Sequence, residues 1–177
     1  MQVKWLVGIA VVAAAYLWFK RPSLETVIAR TSIDEGAGTI DYDGVRYASE
    51  WGEPVSIEGD LRLKSRASFR FHVITHDALV TTGDFSDPHK VEVTSISNGT
   101  VGLKWKTQPR GEYRMLHLIP RDRNVLRQLE DLQQGDHVRI KGREEQDGSV
   151  KGSDGNVFAV SGSSMHFIVL VDDAQRY

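Results

Sequence analysis

Arg62, Lys64 and Arg66 recur at every second position of LRLKSRASFRFH, and that spacing puts three cations on one side of a β-strand. Arg70 and His72 prolong the basic run, Phe69 and Phe71 alternate with them, and no acid occurs from Leu61 to His76. Lys104-Trp105-Lys106 is a second basic-aromatic stretch. Cations neutralise phosphates and rings stack on bases, so such strands suit a nucleic-acid path. The same groups suit anionic lipid headgroups or an acidic partner protein. Two plainer readings compete. Lysine and arginine discourage edge-to-edge sheet association, and residues 22–60, with two basic and nine acidic groups, offer internal partners. Arg62, Lys64, Arg66, Arg70, Lys104 and Lys106 are the candidate binding residues, with a protein partner preferred to nucleic acid.

Other chemistry finds less support. His72 and His76 lie four residues apart, roughly 13 Å along an extended strand, too far to share one ion. A third ligand would have to come from His89 or His117. SGSSMH lacks the strand-to-helix elbow that exposes a nucleophilic serine. Asp147, Asp154 and Asn156 stand among glycines without calcium-loop spacing, and they read as turn residues. Walker and dinucleotide glycine patterns are absent, as is cysteine. The sequence points to no catalytic residue, metal ligand or cofactor, and so to no enzyme.

The elements that position these residues change character along the chain. Trp5–Phe19 is an apolar run flanked by Lys4 and by Lys20-Arg21, with Trp5, Tyr16 and Trp18 near its ends. From Val3 it spans roughly 25 Å as a helix, slightly short of a core of about 30 Å that lysine snorkelling and bilayer thinning can match. Residues 1–21 are therefore expected to be an uncleaved single-pass anchor. Cleavage near Ala13-Ala14-Ala15 is the rival, but it would leave an apolar new terminus. The flanking charges nearly balance, and the expected orientation puts the N-terminus inside and the soluble part outside.

Residues 22–60 are expected to form a juxtamembrane helix and an acidic β segment, and residues 61–177 a β domain. Ser23 is a suitable N-cap for a helix with Leu24, Val27 and Ile28 on one face. Asp43-Gly44 and Asn98-Gly99 are two-residue hairpin turns. SFRFHVIT and EYRMLHLIP read as strands, the latter stopped by Pro120. RDRNVLRQLEDLQQGD switches to helical period, with Asp122 as cap and Gly135 beyond the end. In HVRIKG, Val138 and Ile140 face inward and Arg139 and Lys141 outward. Strands, one helix, then further strands predict a mainly β fold with an OB-like barrel, the helix lying between its third and fourth strands. An SH3-like barrel or open sandwich is the competitor. Strands upstream of residue 68 exceed what five require, so some must extend or cap the barrel.

MLHLIPRDRNVLRQLEDLQQGDHVRIKG resembles the C-terminal block of a group of small bacterial membrane-anchored proteins of uncharacterised function. The likeness covers about residues 113–171, roughly a third of the chain. Arg143-Glu144 stand where that group has an aromatic after the strand glycine. The resemblance implies an envelope-facing domain on the bacterial inner membrane, exposed to the periplasm in the orientation above, and brings no activity with it. The expectation is a membrane-tethered binding or assembly module. A tethered enzyme acting on an envelope polymer and a nucleic-acid binder at the membrane stay open beside it.

Overall fold

A computed structural model of the chain describes residues 22–34, 38–67, 73–97, 100–159 and 165–177. The expected anchor, Arg70, His72 and the Asn98-Gly99 turn lie outside these residues. Among the described residues no helix is long and apolar enough to cross a membrane.

The chain is mainly β, as its alternating pattern requires. Helix α1 (Leu24–Ala29) begins at Ser23, whose side chain accepts from the Thr26 amide. Strands β1 (Thr31–Asp34), β2 (Thr39–Tyr42) and β3 (Val45–Ala48) follow as a meander. Asp43 and Gly44 both hold positive φ, 51° and 82°, which is the turn that matches strand twist in a two-residue hairpin. The long strand β4 (Trp51–Arg66) then runs unbroken across residue 60. β5 (His76–Thr81), a short 3-10 helix (Gly83–Ser86), β6 (Val91–Ser97), β7 (Thr100–Trp105) and β8 (Tyr113–Pro120) come next. Helix α2 (Arg123–Asp131) precedes β9 (His137–Glu145), β10 (Ser149–Gly152), β11 (Val157–Ala159) and β12 (His166–Arg176).

Five of these strands close a barrel in the order β12-β8-β5-β4-β9. All neighbours are antiparallel except β8 and β12, which run parallel from His166 beside Met115 to Val171 beside Pro120. α2 lies between the third and fourth barrel strands in chain order. Asp122 accepts from the Val125 amide at 2.9 Å to start it, and Val125, Leu126 and Leu129 are buried. The surplus upstream strands do extend the structure: β1-β2-β3 join β10-β11 in a second sheet, and β6-β7 stand as a separate hairpin.

Two apolar clusters follow from this layering. Inside the barrel, Ile57, Leu61, Ala78, Val80, Leu116, Leu118, Val138, Ile140, Val169 and Val171 meet Val125, Leu129 and Leu132. On its outside, Ile119, Ile168 and Leu170 pack with Ile40, Tyr42, Tyr47 and Val150 of the second sheet. Strand β5 is buried at all six residues, because both of its faces are covered. The expected strand over SFRFHVIT is corrected for its described part. Val73–Thr75 are not strand, and β5 starts at His76. Val73 and Ile74 instead enter the outer cluster, while Ala67 and Thr75 join through a backbone hydrogen bond of 3.0 Å.

Gly142 sits where β9 pairs with both β4 and β12, and a methyl group there would fall inside contact distance of the Leu170 carbonyl oxygen. Gly142→Ala is expected to destabilise the fold by about 3 kcal/mol, read as a lowered urea midpoint with an unchanged slope.

Candidate functional site

The basic stripe is divided by a β-bulge. Pairing of β4 with β5 slips between Leu61 and Leu63, which leaves Arg62 as the extra residue. A bulge reverses the alternation beyond it. Lys64 and Arg66 therefore stand opposite Ala78 and His76, on the inward side at the barrel mouth, and Arg62 is separated from them. Each cation then finds backbone carbonyls of its own chain. Arg62 donates to Phe85 and Val91. Lys64 donates to Leu129 and Glu130, both at 2.8 Å, and to Leu132. These are carbonyls at the C-terminal end of α2, which have no partner within the helix and carry its negative pole. Arg66 donates to the Pro22 carbonyl. Burial lowers the Lys64 pKa, opposed by Glu130, Asp131 and Asp136.

Lys104 and Lys106 are placed differently. Both are exposed near the end of the β6-β7 hairpin, and neither forms an ion pair or hydrogen bond among the described residues. Lys104 stands across the hairpin from Glu92. Between the lysines, Trp105 is 41% exposed, and its ring meets the edge of Phe85 at 6.1 Å. The buried Phe85 also packs on the half-buried Tyr113, 5.1 Å away, so an aromatic path joins the exposed indole to β8. A groove of about 1090 Å³ runs along this edge, lined by Lys90, Leu103, Lys104, Trp105, Lys106 and Pro109 among others. Lys90 is tied to Asp84 at 2.6 Å, and Asp84 also accepts from the Arg110 amide. The Lys90 hydrogen bond is the main reason the Asp84 carboxyl titrates below the usual range.

A second cluster links three strands on the outer side of the barrel. Asp77 on β5 faces His117 on β8 in register, and the Asp77 carboxylate lies 2.7 Å from His117 Nδ1. His117 Nε2 lies 3.4 Å from Nδ1 of His166, at the start of β12. The imidazoles stack at 26°, and Phe158 of β11 presents an edge to His117. Asp77 and His117 are buried, whereas His166 is half-buried. The His166 pKa is lowered, first by burial and then by His117, with Asp77 opposing. Sequence spacing did not reveal this group, because its members come from three strands and only the register unites them. His76, one residue from Asp77, points instead into the barrel mouth and hydrogen-bonds Thr75. Asp154 accepts from the Asn156 amide and side chain, in keeping with a turn.

Comparison with known proteins returns no matching family model, no matching curated protein and no matching solved structure.

Two outcomes test these placements. Lys64→Met should cost about 2 kcal/mol, since it strips a charged donor from several helix carbonyls. Lys104→Ala should stay within about 0.5 kcal/mol; urea denaturation separates the two. His76 provides the second. Burial, then Lys64 and Arg66, push its pKa down to about 4 from 6.5. Between these values the unfolded chain holds a proton that the folded chain lacks, so stability falls as pH drops from 6.5 and levels off below about 4. The loss should be on the order of 3 kcal/mol, and His76→Gln should remove most of that acid slope in pH-dependent melts.

Proposed function

We propose that this chain is a membrane-tethered binding and assembly module that docks a partner protein in the bacterial envelope through the β6-β7 hairpin. The observation that carries the reading is Trp105, exposed between two unpaired lysines and backed by the buried Phe85 ring. Protein interfaces concentrate their binding free energy in such large, pre-positioned aromatic residues, and tryptophan is prominent among them. Lys104 and Lys106 would meet acidic groups around that anchor and set orientation and encounter rate. Residues 1–21 would tether the module in the inner membrane with the barrel on the periplasmic side, as in the small bacterial proteins that the C-terminal block resembles.

The barrel itself is best described as OB-type. Its staves follow the order first, second, third, fifth, fourth, with the third and fifth parallel and a helix between the third and fourth. Such barrels hold oligonucleotides on the outer face of the second and third strands. Here those strands are β5 and β8, and both are buried over most of their length, so that face offers no open track. This burial favours a protein partner over nucleic acid.

A photo-crosslinking side chain at position 105 of the full, membrane-inserted chain tests the proposal. A discrete protein adduct is expected there and not from position 157, which is also exposed, on β11. Lys104→Glu with Lys106→Glu should weaken capture at least roughly 10-fold. Absence of an adduct, the same adducts from both positions, or salt-sensitive binding of a labelled single-stranded oligonucleotide would each overturn it. A reporter fused to the C-terminus decides the side of the membrane.

A further inference from the structure

We propose that the docking partner binds by adding an extended segment to the open edge of β7 as a third strand, with acidic side chains beside Lys104 and Lys106. This rests on the docking reading above and names the kind of partner it requires. β6 and β7 form a sheet of their own, so each has one neighbour and one edge without a partner strand. Among the described residues, no hydrogen bond reaches residues 101–106 from outside the hairpin. The outward amides and carbonyls of such an edge are a ready template for another chain.

The two edges differ in quality. On β6 the pairing slips between Val93 and Ser95, which leaves Thr94 with no residue opposite. A bulge of this kind bends the strand and spoils its edge as a template. β7 carries no extra residue from Thr100 to Trp105, so its groups keep the regular spacing that an added strand needs.

The side chains state what that strand should carry. Alternation puts Lys104 on one face of β7 and Val101, Leu103 and Trp105 on the other. Val101 and Leu103 are half-buried, so part of each remains for contact. A segment that alternates acidic with apolar residues matches both faces. Past Trp105 its path meets the groove, one wall of which is residues 103–109. Of the acids lining that groove, Asp84 is engaged by Lys90 and the Arg110 amide, and Glu92 stands on β6, the strand farther from the open edge.

The edge also lies away from the point where the chain enters the domain. Arg66 holds the Pro22 carbonyl at the barrel mouth crossed by α2. The hairpin leaves β5 after Thr81 and rejoins β8 at Tyr113, at the opposite end. A domain tethered through residues 1–21 therefore offers this edge to a polypeptide rather than to the lipid beneath it.

The test adds short synthetic peptides to the full chain in mild detergent and follows backbone amide exchange by NMR. An alternating Glu-Val peptide should protect amides of β7 and leave those of β6 unchanged, and a Lys-Val peptide should not bind. N-methylation of the Glu-Val peptide along one edge should weaken binding at least roughly 10-fold, and along its other edge less than about threefold. No protection by the Glu-Val peptide, equal binding of the Lys-Val peptide, or tolerance of both methylation patterns would overturn strand addition. So would β7 protection without peptide, through self-association or on vesicles of anionic phospholipid. An adduct from position 105 with no protection of β7 removes strand addition alone; loss of both removes the docking reading with it.

Discussion

Closure of the barrel depends on β4 pairing with a different neighbour along each half of its length. From Trp51 to Asp60 it faces β9, and from Asp60 to Arg66 it faces β5, with Asp60 in register with both His137 and Thr81. A sheet can close only if its strands are tilted and staggered, so one stave must pass from one partner to another. Sixteen residues give β4 the reach to do so. The bulge at Arg62 follows directly after the transfer and bends the strand over the barrel mouth. The parity change it introduces sets the position of Lys64, and thereby the anchoring of α2 across the opening. The placement of the helix at the mouth thus follows from the partner transfer and the bulge in one strand.

The same geometry explains why three barrel strands are apolar on both faces. An isolated barrel would leave the outside of β5, β8 and β12 in water, and the sequence would alternate there. In this chain Ile119, Ile168 and Leu170 are buried outward-facing residues, because the β1-β2-β3-β10-β11 sheet lies against them. The five-stranded sheet takes strands from both ends of the domain, and β10 joins β3 at Lys151 opposite Ala48. The loop between the fourth and fifth staves is thereby fastened to the N-terminal meander. His117, which meets Phe158 of β11, owes part of its burial to this second layer. Polar groups at outward positions would ordinarily be hydrated, and here they must satisfy each other.

Local signals in the sequence were legible wherever one residue controls one backbone event. Ser23 and Asp122 cap the helices they precede, Asp43-Gly44 makes its hairpin, Pro120 ends its strand, and Val138 and Ile140 point inward while Lys141 is exposed. Alternation failed where the partner strand decides the outcome. Arg62, Lys64 and Arg66 look like one stripe until register with β5 shows the slipped residue. HDALVT carries no alternation, since burial on two faces erases it. The histidine pair was hidden for a related reason: His117 and His166 are 49 positions apart and meet only through the parallel pairing of β8 and β12.

The charges show how binding potential is distributed. The acidic stretch 22–60 does not neutralise the basic β4 stripe, as sequence proximity suggests. Its acids find other cations: Glu25 pairs with Arg123, Asp41 with Arg46, Asp43 with Arg30, and Glu58 with Arg139. Asp60 lies against His137. The β4 cations turn to carbonyl oxygens, which accept a hydrogen bond without cancelling the charge. Most of the described ionic groups of the barrel are thus committed to holding its own strands and helices. Lys104 and Lys106 stand apart from that network, on a hairpin that belongs to neither large sheet. The hairpin makes no barrel closure, and Lys104 and Trp105 lie at its base, in register with Glu92 and Val91, rather than at the turn between β6 and β7. Under the proposed docking role that base is the recognition surface, with the Phe85 ring packed behind Trp105.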